Sequence, residues 1–282
     1  MGETDLLRLA EEALDTGNWN EACRIGRQIA AGTAPDVGAS YGWAIEGIAL
    51  RELGRIAESI ELLSRAVDDH PNEALFLQEL ARTHLQAGNH QLAYDCAKRA
   101  DEIAPDSDVT ARILGLALVR LGRSAEALSV FEAHGGVGGD EELRKLTAVA
   151  IIGMAEARFE PVSPDLAGPT SQEAAEAVIS LMDRVRAIDG LHEEERSAAE
   201  QLRQAATDAL GKRYLGGFAS VVSHLGLSFL VFIVVLLASS QSVLAVLAAI
   251  ALLAVLTIRR IQPGWKGFRE AAEAYRRSGA EG

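Results

Sequence analysis

The sequence predicts an all-α protein, in which a solenoid of repeated helix pairs is followed by a helical stalk and a two-helix transmembrane hairpin. Three observations support this prediction: glycines that recur about every 34 residues, an Ala- and Leu-rich composition with only 7 prolines, and two long apolar runs near the C-terminus. The mean hydropathy of +0.10 is high for a chain with 24% charged residues, so the apolar content must be concentrated in part of it.

A glycine followed by Asn or Arg marks the repeat, and it occurs at Gly17, Gly54, Gly88 and Gly122, with spacings of 37, 34 and 34 residues. We expect each glycine to end a first helix in the left-handed conformation before a second helix begins. Small residues recur five positions after the glycine and seven before it, where two helices would cross; they are Ala22, Ser59, Ala93, Ala127 and Ala10, Gly47, Ala81, Gly115.

This pattern resembles the tetratricopeptide repeat (TPR) family over roughly residues 3–141, with Trp43 and prolines at the ends of units adding to the likeness. The resemblance implies a stacked solenoid over residues 1–158, made of four units and a capping helix at 141–158. The sequence departs from the family pattern at an insertion in 36–39, and again at His134, where an alanine is expected.

The first helix of each pair lines an inner groove in this family, so the resemblance implies a set of partner-binding residues. They are Tyr41, Arg51, Gln78, Arg82, Gln86, Arg112 and Arg120. Arginines in an acidic protein favour a protein or peptide partner with an acidic segment, and solvated arginines are the alternative. The positions of the family's clamp for a terminal carboxylate hold Leu7 and Glu11, so that ligand is not expected.

Charge divides the chain sharply. Residues 1–210 carry 19 Lys and Arg against 37 Asp and Glu, whereas residues 211–282 carry 8 against 3. The acidic part argues against nucleic acid as a partner, because phosphate repels a surface of that sign. The basic part borders the apolar runs, where it would meet anionic lipid headgroups.

Two connecting regions separate the repeats from the apolar runs. Residues 159–170 contain three prolines and are predicted to be a linker. Residues 171–214 are predicted to form a helical pair interrupted at Gly190. This pair either packs on the repeats or extends as a stalk or coiled coil, and the sequence leaves both possibilities open.

Residues 215–260 are predicted to form the transmembrane hairpin. The run at 216–238 is long enough to cross a bilayer, and a polar break separates it from a second run at 243–258. Basic residues flank both ends, while the connecting turn carries no charge. The positive-inside rule therefore predicts a multi-pass protein with both termini cytoplasmic and a cytoplasmic tail at 261–282. The composition, with 23 Arg against 4 Lys and abundant Ala and Gly, is typical of a bacterium with a GC-rich genome, so we expect the cell (plasma) membrane. That tail is either an amphipathic helix on the membrane surface or a solvated helix.

No residue constellation in the sequence indicates catalysis, a cofactor or a metal site, so we expect no enzyme. Cys23 and Cys96 are predicted to be reduced thiols packed within helices. His224, inside the first apolar run, is either hydrogen-bonded to the second run or functional. The sequence predicts a bacterial, membrane-anchored scaffold or adaptor that presents a TPR groove. The alternative is a membrane effector whose hairpin forms homo-oligomers and perturbs the bilayer.

Overall fold

The computed structural model describes residues 3–33, 38–163, 166–214 and 261–279. Within them the chain forms two compact units. The first, which we call the solenoid, comprises Met1–Met154 and Ile188–Glu195. The second, which we call the C-terminal module, comprises Ala155–Ala187 and Arg196–Gly282.

In the described residues the solenoid consists of four consecutive helix pairs followed by a single helix. They are α1 (Glu3–Asp15), α2 (Trp19–Gln28), α3 (Ala39–Glu52), α4 (Ile56–Asp69), α5 (Ala74–Gln86), α6 (His90–Ile103), α7 (Asp108–Arg120), α8 (Ser124–Ala133) and α9 (Glu141–Glu156). A π-helical turn at Ile29–Thr33 extends α2, and a 3-10 turn at Gly136–Gly138 precedes α9.

The four repeat glycines all end a first helix with positive φ, at 69°, 77°, 77° and 73°, as the spacing predicts. The amide after each glycine donates to the carbonyl five residues earlier, for example Asn18 N to Ala13 O at 2.8 Å and Arg123 N to Leu118 O at 2.8 Å. This bond satisfies a carbonyl that the end of the helix would otherwise leave free. The same cap therefore recurs in every pair.

The predicted small residues lie at the helix crossings. Ala10, Ala22, Ala81 and Ala93 are fully buried, and a Cβ on Gly115 would lie only 2.1 Å from Cε1 of Phe131. Each helix from α1 to α8 packs on its neighbours in sequence, which makes the core continuous from pair to pair.

In its described residues the C-terminal module combines two short antiparallel ladders with three helices. Strands β1 (Glu160–Ser163) and β2 (Leu166–Gly168) form the first ladder, and β3 (Lys212–Tyr214) and β4 (Ile261–Pro263) form the second. The helices are α10 (Gln172–Arg186), α11 (Glu193–Leu210) and α12 (Gly264–Gly279).

The predicted linker at 159–170 contains the β1–β2 hairpin, which the three prolines concealed in the sequence. The predicted tail at 261–282 is helical over most of its described residues. Its helix α12 packs on β1 and β2, with Phe268 against Gly168 and Ala272 buried, so its apolar face is already covered by protein.

The predicted helical pair at 171–214 is present as α10 and α11. Gly190 has φ of 77° between them, and Arg203 Nε lies 2.9 Å from Asp183 Oδ1 across the pair. Most of both helices belongs to the C-terminal module.

The predicted transmembrane hairpin at 215–260, including His224, lies outside the described residues. Among the helices of the described ranges, none has the length and apolar character needed to cross a bilayer. The residues on either side of the segment are described, and they pair with each other. Lys212 is opposite Pro263, Arg213 opposite Gln262, and Tyr214 opposite Ile261.

Candidate partner-binding groove

The first helices of the pairs form the inner face of the solenoid. Helix α3 contacts α5 and α5 contacts α7, whereas no comparable contact joins the second helices α4, α6 and α8 within these described pairs. Elements on the inside of a curved stack lie closer together than those on the outside. The predicted groove residues therefore all lie on helices that line this inner face.

Four of the seven predicted groove residues contact the next unit of the solenoid. The Tyr41 ring packs edge-on against Phe76, with 5.1 Å between centroids. Gln78 Nε2 donates to Thr110 Oγ1 at 2.8 Å and to Ser107 Oγ at 3.3 Å. These contacts reach from α3 to α5 and from α5 to α7, so both side chains stabilise the stacking of successive pairs.

The two arginines in this group form ion pairs with the following unit. Arg51 is only 7% exposed, and its Nη1 lies 2.6 Å from Glu79 Oε2. Arg112 pairs with Asp140 and, at 3.1 Å, with Glu142. Removing one partner of a buried ion pair strongly destabilises a protein, and this applies to Arg51. The partners of Arg112 are exposed, so its ion pairs contribute less. Both arginines are nevertheless engaged with the following unit, which weakens the prediction that they bind a partner.

The other three predicted residues are exposed on the inner face. Arg82 Nε lies 3.8 Å from Glu79 Oε1, and the side chain remains 44% exposed. Gln86 ends α5 and Arg120 ends α7, both exposed. The structure shows no ion pair between Arg120 and another described residue. These three side chains are the part of the predicted site that stays accessible.

Two apolar side chains on the same face were missed by the sequence prediction. Leu75 is 43% exposed and Val109 is 37% exposed. Both lie thirteen positions before a repeat glycine, the position that Tyr41 occupies in its own unit. Placing the units in register would have revealed them. Helices α5 and α7 thus each expose an apolar residue near the start and a polar one at the end.

Charge changes along the inner face. The residue two positions before each repeat glycine is exposed in all four units, and in chain order these residues are Asp15, Glu52, Gln86 and Arg120. The face is therefore acidic at the first two units and basic at the fourth. Arg82 adds positive charge beside Gln86 on α5.

The outer surface has a different character. Exposed Arg–Glu pairs recur on the second helices, such as Arg55–Glu58 and Arg123–Glu126 at 2.6 Å in the latter. Arg27 pairs with the largely buried Glu46 at 2.6 Å, and Arg65 lies 4.3 Å from the ring centroid of Trp43. Both arginines therefore have contacts within the solenoid, so substituting them would not be a neutral control in a binding test of the groove.

The described residues contain no cluster of His, Cys, Asp and Glu that could hold a metal ion. Cys23 is buried and Cys96 half-buried, and both thiols are free. Burial raises the pKa of both thiols, which keeps them protonated and poorly reactive.

Residues 52–134, from the end of α3 to the end of α8, match the family model of the anaphase-promoting complex, cyclosome, subunit 3. The solenoid is TPR-like. A thermophilic TPR protein in Thermus thermophilus aligns with 71% of this chain and 98% of its own, at 13% identity and a TM-score of 0.48. MamA of AMB-1 aligns over 69% and 96%, at 20% identity and a TM-score of 0.47. No curated protein matches the chain.

Proposed function

We propose that this protein is a membrane-anchored scaffold, in which the inner face of the TPR-like solenoid binds a segment of a partner protein. The observation that carries the proposal is the exposed strip on α5 and α7, where Leu75, Val109, Gln86 and Arg120 lie accessible beside half-buried neighbours. A surface with apolar anchors and a few charges is typical of peptide recognition.

The charges on this face define the chemistry of the partner. Arg82 and Arg120 at the basic end favour an acidic stretch, whereas Asp15 and Glu52 at the other end favour a basic one. We therefore propose a partner segment with apolar residues in its middle and opposite charges at its ends. The sequence predicted only an acidic segment in the partner. The present proposal adds an orientation, with the acidic end of the segment near Arg120 and its basic end near Asp15.

Membrane anchoring is proposed for residues 215–260, and two observations support it. The segment contains an apolar run at 216–238 that is long enough for a bilayer and a slightly shorter one at 243–258, and the β3–β4 ladder holds its two ends side by side. Paired residues in such a ladder have Cα atoms about 5 Å apart. Both ends then lie on one side of a membrane, which requires an even number of crossings. We propose the plasma membrane, with both termini cytoplasmic.

The groove is tested by photocrosslinking in the native host. A photoreactive amino acid at Gln86 is expected to capture the partner, whereas the same group at Lys98, exposed on α6, is expected to capture it poorly. Mass spectrometry of the Gln86 adduct then identifies the partner segment. Capture of the same segment with equal yield from both sites would contradict binding on the inner face.

A matched pair of double variants then measures affinity for the captured segment. Leu75→Asp with Arg120→Glu removes one apolar and one cationic contact, and should weaken binding about 100-fold or more. Leu92→Asp with Lys98→Glu makes the same chemical changes on α6, where Leu92 is 51% exposed. This control should bind normally. Equal loss in both variants would mean that the inner face is not the binding site.

Anchoring is tested by cysteine labelling in a background with Cys23→Ala and Cys96→Ala. A cysteine at Ser240 should react with an impermeant thiol reagent added outside intact cells, and one at Ser278 should not. Labelling of Ser278 alone, or of both positions, contradicts the proposed topology. Recovery of the whole chain in the cytosolic fraction contradicts membrane anchoring altogether.

A further inference from the structure

The turns that join one helix pair to the next lie together along one edge of the solenoid, which we call the turn edge. Contacts link these turns from unit to unit. Nη2 of Arg99, near the end of α6, donates to Pro71 O at 3.4 Å, and Nδ1 of His134 lies 3.2 Å from Asp108 Oδ1 at the start of α7. The turns of this edge are at 70–73, 104–107 and 134–140.

Four of the six large apolar side chains that the described solenoid exposes lie on or beside the turn edge. Ile103 is 40% exposed and Val137 is 55% exposed, and they occupy the same position of successive units, 34 residues apart. Leu75 and Val109 form a second such pair, at the border with the inner face. A single exposed apolar residue is ordinary on a protein surface, whereas a row of them along one edge is typical of an interaction surface.

The turn edge is also acidic. Eight Asp and Glu, and no Lys or Arg, lie in the two stretches of chain around its second and third turns, at 101–108 and 132–142. Two cations from the adjoining helices, Arg112 and Lys145, pair with three of these carboxylates. Glu102 and Asp106, in contrast, are exposed and form no ion pair with any residue that the structure describes. The edge therefore attracts a cationic partner.

The spacing of the apolar positions favours a helical partner. Helices α5 and α7 contact each other, so their axes lie about 8–10 Å apart, and equivalent positions of successive units are separated by a similar distance. In an α-helix, residues seven positions apart lie on one face and about 10 Å apart. Residues three positions apart in an extended strand are also about 10 Å apart, but they point to opposite faces.

We propose that the turn edge binds an amphipathic helix of a partner protein, which contacts Ile103 and Val137 with apolar residues and Glu102 and Asp106 with Lys or Arg. The negative charge of the edge repels nucleic acid and anionic lipid, and it attracts a basic segment. This surface goes beyond the groove proposed on the inner face, because Ile103 and Val137 do not belong to the first helices of the pairs. Either surface can bind without the other.

The test measures binding of a synthetic peptide to the full-length protein in a non-ionic detergent. The peptide has leucine at the a and d positions of a helical heptad pattern and lysine beside them. Fluorescence anisotropy gives its affinity, with empty micelles as the blank. The same peptide with glutamate in place of lysine should bind at least about 10-fold more weakly, because the edge is acidic. Equal affinity for the two peptides would overturn the proposal.

A matched pair of variants tests the apolar positions. Ile103→Ser with Val137→Ser should weaken binding of the lysine peptide about 10-fold or more. The control is Leu53→Ser with Leu92→Ser, which removes two similarly exposed side chains from the opposite edge, where the repeat glycines lie. The control should bind like the wild type. Wild-type affinity in the first variant, or equal loss in both, would overturn the proposal.

A second pair of variants tests the charges. Glu102→Gln with Asp106→Asn should weaken binding about threefold at low ionic strength, and the difference from the wild type should shrink in high salt. The control is Glu11→Gln with Glu61→Gln, which removes two exposed carboxylates elsewhere on the solenoid. Equal loss in both variants would show that the peptide responds only to net charge, which overturns the proposed site. Circular dichroism checks the fold of every variant.

Two further outcomes distinguish this surface from other interactions. Arg120→Glu, on the inner face, should leave binding of the lysine peptide intact, and a loss there would place the peptide in the groove instead. A second copy of the chain is the other possible occupant of the edge. Self-association that is abolished by Ile103→Ser with Val137→Ser, without binding of the peptide to the wild type, would overturn the proposal of a basic partner.

Discussion

The solenoid and the C-terminal module are built in opposite ways. In the solenoid each helix from α1 to α8 packs on its neighbours in sequence, and the same glycine cap recurs from pair to pair. In the module, α12 packs on β1 and β2, and β4 pairs with β3 across the whole of segment 215–260. Local packing allows a repeat array to be cut at a unit boundary. The C-terminal module, in contrast, needs residues from both sides of segment 215–260 in order to fold.

The largest expected effect comes from truncation. A chain ending at residue 158 keeps helices α1–α9 and loses only the Ile188–Glu195 part of the solenoid, so it should still unfold cooperatively in detergent-free buffer. A chain ending at residue 214 loses β4 and α12, so we expect it to show the solenoid transition and no protected module. Hydrogen exchange measures this directly. Strong amide protection in α10 and α11 of the longer truncation would show that these helices fold without β4 and α12, which would contradict this dependence.

A pair of phenylalanines gives the next largest effect. Phe131 is fully buried against Gly115 in the solenoid, and Phe268 packs against Gly168 in the module. Phe131→Ala should destabilise the solenoid by about 3–5 kcal/mol, and Phe268→Ala should lower the protection of α12 by less, because Phe268 is only half-buried. Each variant serves as the other's control in regional hydrogen exchange. Loss of protection in both regions from either variant would show that the units unfold together.

A smaller effect is expected at the repeat cap. Gly88 has φ of 77° with open space around it, so Gly88→Val tests backbone strain alone. The left-handed conformation should cost a side chain about 1–2 kcal/mol, measured by urea denaturation of the chain ending at residue 158. Gly138→Val is the control, since Gly138 also has open space but no positive φ. Identical midpoints for the two variants would contradict the role of the cap.

The smallest effect concerns pH. Burial lowers the pKa of His84 from its ordinary value of 6.5. The unfolded chain therefore takes up a proton near pH 6.5 while the folded solenoid resists it. Stability should fall as the pH drops below 6.5, by at most about 1.4 kcal/mol per pH unit from this group. His84→Gln should flatten the dependence and the exposed His70→Gln should not. An unchanged slope in His84→Gln would exclude His84 as the source.

Sequence patterns predicted the solenoid because its structure is local. The glycine at each turn, the small residue at each crossing and the first helix of each pair repeat at one period, so each unit reinforces the others. The β1–β2 hairpin offered no such repetition. Its prolines are typical of a connector, and its packing partner α12 lies on the far side of the apolar segment. Single-segment patterns carry no information about such a contact.

Only part of the groove was predicted correctly, because the sequence prediction did not consider contacts between successive units. Considering each helix alone, Arg51 and Arg112 are cations on an inner face. Their carboxylate partners Glu79 and Asp140 each lie 28 residues downstream, in the next unit. A search for opposite charges roughly one period apart would have found both pairs. Gln86 and Arg120 remained accessible because they end their helices, beyond the reach of the following unit.

The β3–β4 ladder also sets the order of events during synthesis. The solenoid helices can pack as soon as each pair has left the ribosome, since their partners are already present. The strand at 212–214 has no partner until residues 261–263 emerge. The β1–β2 hairpin likewise waits for α12. Segment 215–260 is therefore translated before β3 and β4 can pair. Whether this segment enters a bilayer is then determined before the C-terminal module has folded.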